Sequence, residues 1–253
     1  MRMAEEASAK TPWEFQLRTF VIAIAFGLGF FLGYPIQSAL TSDLDPTFVL
    51  LGRPFGDVGI DAAAWVAAAI AVLGYFIRLW ASSYHSPGVV MSRSVVTDTF
   101  FAAGPYRYVR NPLYLGNVFL ALSIGSLGPP VATALVFAFN LLFVYRLIFI
   151  EERFLRSTIG EAYERYCKAV PRLWPRLTPA DLPEDDRKPN LLYGMLTELF
   201  MLGFAAAMVY FAIVVPHGGG RHIGTAFWSI AGFAIILQIV LAPSARRADA
   251  DRS

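Results

Sequence analysis

Charge is what this sequence has least of. Only 16% of its 253 residues are charged, whereas a soluble domain carries about a quarter. The few charges cluster, and the stretches between them are apolar, which excludes an ordinary water-soluble domain. Cysteine is nearly absent too: Cys167 stands alone, so no intramolecular disulfide can form. Of 3 histidines, two fall in "PHGGGRH", Pro216 to His222, a glycine-rich loop without carboxylate or thiol company and so a poor metal site. A net charge of +2 is too small to point to nucleic acid. The N-terminal stretch lacks a secretory signature, because Glu5, Glu6 and Glu14 dilute its basic residues and no small-residue cleavage site follows. The first apolar span is therefore expected to remain as an anchor.

What is present is hydrocarbon, 56% of the residues. A membrane-crossing helix needs about 20 mostly apolar residues. Phe20–Leu40, Ala62–Ala81, Val131–Ile150, Leu192–Val215 and Ile223–Ala242 meet that length. A shorter run from Leu113 to Leu127 precedes "GSLGPP", Gly125 to Pro130, whose prolines and glycines mark a turn. The short run and Val131–Ile150 thus read as a helical hairpin. Lys and Arg number 17 on one set of alternating connectors and termini and 2, Arg53 and Arg221, on the other, which predicts a cytoplasmic side for the rich set. The expected fold is all-α: a polytopic membrane helical bundle of about six transmembrane helices with both termini cytoplasmic, a hairpin and a cytoplasmic amphipathic helix. Three parts are expected: 1–61, an anchor span and outer loop bearing Asp43, Asp45, Asp57 and Asp61; 62–177, a core; and 178–253, a linker with two further spans.

The amphipathic helix is read from Glu151 to Leu177, where Phe154, Leu155, Ile159, Tyr163, Tyr166 and Val170 recur at helical spacing and Pro171 and Pro175 end the pattern. Cys167 falls among these tyrosines and reads as a packed thiol, with no neighbouring histidine to activate it. "TPADLPEDDRKPN", Thr178 to Asn190, reads as a solvated linker. Glu198, inside the fifth span, is either a snorkelling residue or a polar wall of a pocket. Arg78 and Arg146 read as snorkelling residues at helix ends, and Asn140 and Gln238 as interhelical hydrogen-bond partners.

The densest cluster of chemistry is "GPYRYVRNPLYLGN", Gly104 to Asn117. Gly104-Pro105 makes a turn. Pro112 suits the first turn of the following helix, and Asn111 suits its cap. The positive helix end, with Arg107 and Arg110, favours a carboxylate or phosphate. Tyr106, Tyr108 and Tyr114 offer flat faces and hydroxyls, and Gly116 allows a close approach. Arginine and tyrosine also anchor membrane boundaries. However, Glu151-Glu152 closes the next cytoplasmic helix end, and a short hairpin returns both ends to one membrane face. The pair and the cluster together fit a zwitterionic ligand with hydroxyls.

These residues resemble the superfamily of isoprenylcysteine carboxyl methyltransferases and phospholipid methyltransferases. Its pattern is Gly-Pro-Tyr, Arg-His-Pro-x-Tyr-x-Gly, a helical hairpin, Glu-Glu, then Gly, Tyr, Tyr, Val and Pro. Here it is matched by Gly104, Pro105, Tyr106, Arg110, Pro112, Tyr114, Gly116, Glu151, Glu152, Leu155, Gly160, Tyr163, Tyr166, Val170 and Pro175. The resemblance covers roughly 74–177. It implies an S-adenosyl-L-methionine-dependent methyltransferase acting on a lipophilic small-molecule or lipid-modified acceptor at the cytoplasmic leaflet. It implies cofactor binding by Tyr106, Arg110, Asn111, Pro112, Tyr114, Gly116, Glu151 and Glu152, with Arg110 and Glu152 as the catalytic candidates. Asn111 replaces the usual histidine; it keeps hydrogen-bonding capacity but does not titrate near neutral pH. Nicotinamide-dependent membrane sterol or enone reductases have a similar hairpin, but the Glu151-Glu152 pair and the small size argue against them. A non-catalytic membrane protein is the alternative of another class.

Overall fold

In the computed structural model, residues 18–84, 102–183, 188–214 and 223–250 are described. The histidine loop, Pro216 to His222, lies outside them. Among the described residues every regular element is helical, as expected: α1 (Arg18–Leu40), α2 (Thr47–Gly52), α3 (Gly56–Ser83), α4 (Pro112–Gly125), α5 (Pro130–Ile159), α6 (Glu161–Ala169), α7 (Leu191–Thr197), α8 (Leu199–Val214) and α9 (Ile223–Ala250). Three stretches are long and apolar enough to cross a membrane: Val21–Leu40, Thr47–Ser83 and Pro130–Ile159. A fourth results if α7 and α8, bent by 71° at Glu198, are one span. At 14 residues, α4 is about 21 Å long, short of the roughly 30 Å hydrocarbon layer.

The hairpin is α4 and α5. Its turn is fixed by hydrogen bonds from Thr133 Oγ1 to the Gly125 carbonyl (2.7 Å) and from the Thr47 amide to the Gly128 carbonyl (2.8 Å). Asp57 and Asp61, expected in the outer loop, instead lie on α3, with Asp57 in its first turn. α1 packs along α5 through glycine: a Cβ on Gly33 would sit 2.2 Å from Ala132 Cα. Such close backbone approach is the usual means of helix association where lipid removes a hydrophobic drive. The opposite face of α1 leaves Phe31 and Ile24 exposed, as a lipid-facing surface requires. Gln238 behaves as expected, its Oε1 accepting from the Phe200 amide across α8 and α9 (2.7 Å). Asn140 does not: it is buried on α5, and neither amide atom has a hydrogen-bond partner among the described residues.

One expectation is corrected near the site and another refined. The helix ending the hairpin does not stop at the glutamate pair and give way to a separate amphipathic helix. α5 runs on through Glu151 and Glu152 to Ile159, because nothing in that stretch breaks a helix. The break comes at Gly160, at φ +71°, a conformation open to glycine and few others. α6 then starts at Glu161 and buries Ala162, Tyr163 and Tyr166. The stretch from Thr178 is mostly exposed where it is described, as a solvated linker should be, but it is tied down at two points. Ala180 is fully buried, and its amide donates to the Arg107 carbonyl at 2.8 Å. Asn190 donates to the Ser83 carbonyl and caps α7 by accepting from the Tyr193 amide. Its polar composition fits that exposure, while these two backbone bonds fasten it to the turn and to the end of α3.

Candidate cofactor site

The site is built on a turn that begins at a glycine. Gly104 sits at φ +53°, and a Cβ there would lie 2.5 Å from the Tyr84 ring, so both the backbone and the packing call for glycine. Pro105 is buried in the following tight turn, and its carbonyl accepts from the Tyr108 and Val109 amides. The chain then enters α4 at Pro112, whose missing N–H costs nothing at a first helical position.

Leaving α6, the chain turns extended at Val170 and doubles back over this turn as a strap, with Pro171 and Pro175 keeping it out of helix. Three backbone hydrogen bonds fasten it antiparallel to the turn: Arg110 amide to Pro171 carbonyl (2.9 Å), Arg176 amide to Tyr108 carbonyl (3.0 Å), and the Ala180 bond to Arg107. The Arg107 guanidinium returns to the Ala180 carbonyl, so that side chain is used in holding the strap. The Tyr166 hydroxyl donates to the Tyr106 carbonyl at 2.8 Å.

The helix mouth and the helix exit meet directly. Arg110 Nη1 lies 3.4 Å from Glu152 Oε1, with the two side chains 8% and 1% exposed. Glu152 is shared further: Arg172 grips it with two hydrogen bonds of 3.0 and 2.9 Å, and Arg156 reaches it at 3.3 Å. Arg156 also bonds Glu164 at 2.8 Å. Three guanidiniums thus converge on the one buried Glu152 carboxylate, and Arg110 is the one that pairs with it by charge without a hydrogen bond. Its Nε and Nη1 are buried with no hydrogen-bond partner among the described residues, a costly state that calls for an acceptor. The Arg172 guanidinium also lies over the Phe149 ring, 4.7 Å from its centroid, and its carboxylate partner raises its pKa further above the usual arginine value.

Tyr106 is held protonated. Burial raises its pKa well above the ordinary tyrosine value, and the nearby carboxylates of Glu151 and Glu198 add to this while Arg78 opposes. Tyr163 and Tyr166 are pushed up the same way, chiefly by burial. All three remain neutral phenols near neutral pH.

The other sequence candidates fall in different places. Pro112 is fully buried, and Tyr114 packs with Val118, Leu147 and Ile148 between α4 and α5. Asn111 occupies the cap position of α4 but makes no side-chain cap; its Nδ2 donates to the Arg172 carbonyl at 2.9 Å. The room beside Gly116 is taken from within the protein: a Cβ there would lie 2.3 Å from Arg78 Cγ and 2.8 Å from the Gly74 carbonyl oxygen. Cys167 is half-buried against the Tyr163 and Tyr166 cluster, as a packed thiol should be.

Sequence reasoning missed Arg172 and Arg156. A signal existed for each: a buried glutamate needs a cation, Arg156 is four residues on from Glu152, and Arg172 stands between the two prolines that force the return. It also misread Arg78 and Glu198. Arg78 does not snorkel; its Nε and Nη2 bind the Glu198 carboxylate at 2.6 and 3.0 Å, and its Nη1 binds the Leu113 carbonyl and Asn117 Oδ1, each at 3.0 Å. Ser82 donates to the same carboxylate. Glu198 therefore closes an internal network at the bend between α7 and α8.

A helical membrane core that brings an arginine-bearing turn onto a glutamate-bearing helix exit is the arrangement expected of the methyltransferase superfamily. Residues 62–162 match the family model described as phospholipid methyltransferase, which lies in that superfamily, so the resemblance is borne out over this stretch. The family match points to a membrane methyltransferase. The cobalt-zinc-cadmium resistance protein CzcN of Cupriavidus metallidurans is 31% identical over 140 residues, which cover 52% of this chain and 61% of the relative. The match thus spans less than two thirds of that relative's length. No solved structure gives a significant match.

Proposed function

We propose that the protein is an S-adenosyl-L-methionine-dependent methyltransferase whose acceptor is lipophilic and is methylated at the cytoplasmic leaflet. The observation that carries this reading is Arg110, a buried guanidinium with two nitrogens that find no hydrogen-bond partner among the described residues, at the junction of turn, strap and hairpin. An adenosylmethionine carries a carboxylate, an amine and ribose hydroxyls. The residues fit it: Arg110 for the carboxylate, Glu151 for the amine or hydroxyls, and the neutral Tyr106 phenol as a further donor. The cofactor supplies an activated methyl on a sulfonium, and the reaction needs neither metal nor covalent enzyme intermediate.

The chain's own residues then have three tasks. Arg110 orients the donor by charge and by two directed N–H groups. Glu152, gripped by Arg172 and Arg156 as well, holds Arg110 in place. Its oxygens are taken by guanidiniums, which leaves it poorly suited to remove a proton from an amine acceptor. The strap and α6 cover the turn, which excludes water from the transfer. The strong bias of Lys and Arg puts turn, strap and both termini on the cytoplasmic side. A soluble donor then enters from the cytoplasm, while the acceptor's apolar part stays in the lipid.

The test is incubation of the purified protein with methyl-labelled donor and a total lipid extract, followed by mass spectrometry. Label in a lipid-soluble product is expected. Absence of any labelled product, with no detectable binding of the donor, would overturn the reading.

A further inference from the structure

We infer that Asn111 is a positioning residue, which holds the Arg172 backbone so that the Arg172 side chain keeps Glu152 from closing on Arg110. The inference rests on the cofactor site proposed above. Consecutive residues of the turn bind consecutive residues of the strap: the Arg110 amide takes the Pro171 carbonyl, and Asn111 Nδ2 takes the Arg172 carbonyl at 2.9 Å. The Asn111 side chain thus does not cap its helix, although it stands at the cap position. Its N–H is spent on the strap.

The consequence runs through the next side chain. Arg172 grips both oxygens of Glu152 from one side, at 3.0 and 2.9 Å. Arg110 approaches Oε1 from another at 3.4 Å, too poorly aligned for its Nη1 to hydrogen-bond. Glu152 is therefore held just short of Arg110. If the strap slips at residue 172, the bidentate grip loosens, and the nearest unsatisfied donors are those of Arg110. The carboxylate then turns to them and consumes the N–H groups that a donor's carboxylate needs. On this account the position requires an N–H donor of moderate size, and that donor need not titrate, which explains how asparagine serves where the superfamily pattern has histidine.

The experiment uses the full chain in detergent with Asn111→Leu and Asn111→Asp, which lack the donor, and Asn111→His, which keeps one. Amide hydrogen exchange of peptides spanning 171–180 reads the strap directly. A lost hydrogen bond of ordinary net strength accelerates exchange several-fold, up to about tenfold. Leu and Asp are expected to show this, with α1 and α5 unchanged, and His is expected to return toward the native rate. S-adenosylhomocysteine serves as the binding probe. Its affinity is expected to fall about tenfold in Asn111→Leu, but by less than about twofold when Asn111→Leu is added to Arg172→Met, where the group it acts through is already gone. Equal weakening in both backgrounds would make Asn111 a direct ligand contact and overturn the inference. So would strap exchange in Asn111→His as fast as in Asn111→Leu. If the native protein binds no S-adenosylhomocysteine, the proposed function fails, and the strap exchange alone decides whether the latch exists.

Discussion

Two arginine–glutamate pairs lie inside this protein, and they are finished differently. Around Arg78 and Glu198 every contact closes: three guanidinium nitrogens meet the Glu198 carboxylate, the Leu113 carbonyl and Asn117, and Ser82 adds to the carboxylate. The Phe200 ring lies 5.1 Å from the guanidinium carbon. Around Arg110 and Glu152 the carboxylate is crowded, while two buried nitrogens of the arginine have no hydrogen-bond partner among the described residues. A buried pair with every group satisfied is a structural joint, here fastening α3, α4 and the bend between α7 and α8. A buried pair with donors to spare leaves N–H groups for an acceptor, which is the role proposed for Arg110. Net charge alone does not distinguish the two; the count of satisfied groups does.

The sharpest way to break the comparison is to cut the closed pair. Glu198→Ala leaves the Arg78 cation buried without its main partner and should cost about 3–5 kcal/mol. The double change Arg78→Met with Glu198→Met should recover most of that loss, as measured by unfolding in detergent. A loss under about 1 kcal/mol for the single change would mean that the pair is solvated and the contrast is false. Next in size, Gly116→Ala drives a methyl into Arg78 and the Gly74 backbone, and should cost about 1–3 kcal/mol as overpacking does. If it is neutral in stability yet lowers donor affinity, Gly116 belongs to the ligand site and not to the joint. The smallest effect is alkaline. Tyr106, Tyr163 and Tyr166 hold their protons more tightly folded than unfolded. Their contribution to stability is therefore full below the ordinary tyrosine value of about 10 and declines as pH rises through the raised values. Tyr106→Phe should flatten that decline, as followed by thermal unfolding across the alkaline range.

The legible part of the site was local or forced by chain connectivity. A short hairpin must bring its two ends to one face, so Arg110 and Glu152 were expected together before any coordinate. The apolar runs, the hairpin turn and the proline at the start of α4 follow from composition and spacing in the same way. The rest depended on contacts that no pattern encodes. Arg78 and Glu198 are 120 residues apart, and each alone reads as a charge seeking the interface. The strap from Val170 to Ala180 was split between an expected amphipathic helix, up to Leu177, and an expected linker from Thr178; neither pattern encodes the backbone bonds to the turn or the packing of Ala180 against Tyr163 and Tyr166. The helix through Glu151 and Glu152 outran expectation because a charged stretch can extend a helix past the hydrocarbon until a glycine stops it.

The most direct measurement of the central claim is equilibrium binding of S-adenosylmethionine to the native protein and to Arg110→Met, with unfolding followed in parallel. Saturable binding is predicted for the native chain. The substitution should weaken it about 100-fold, as loss of two charge-assisted hydrogen bonds implies, while stability stays level or rises because buried donors without hydrogen bonds are gone and Glu152 keeps Arg172 and Arg156. Native affinity in Arg110→Met would contradict the account.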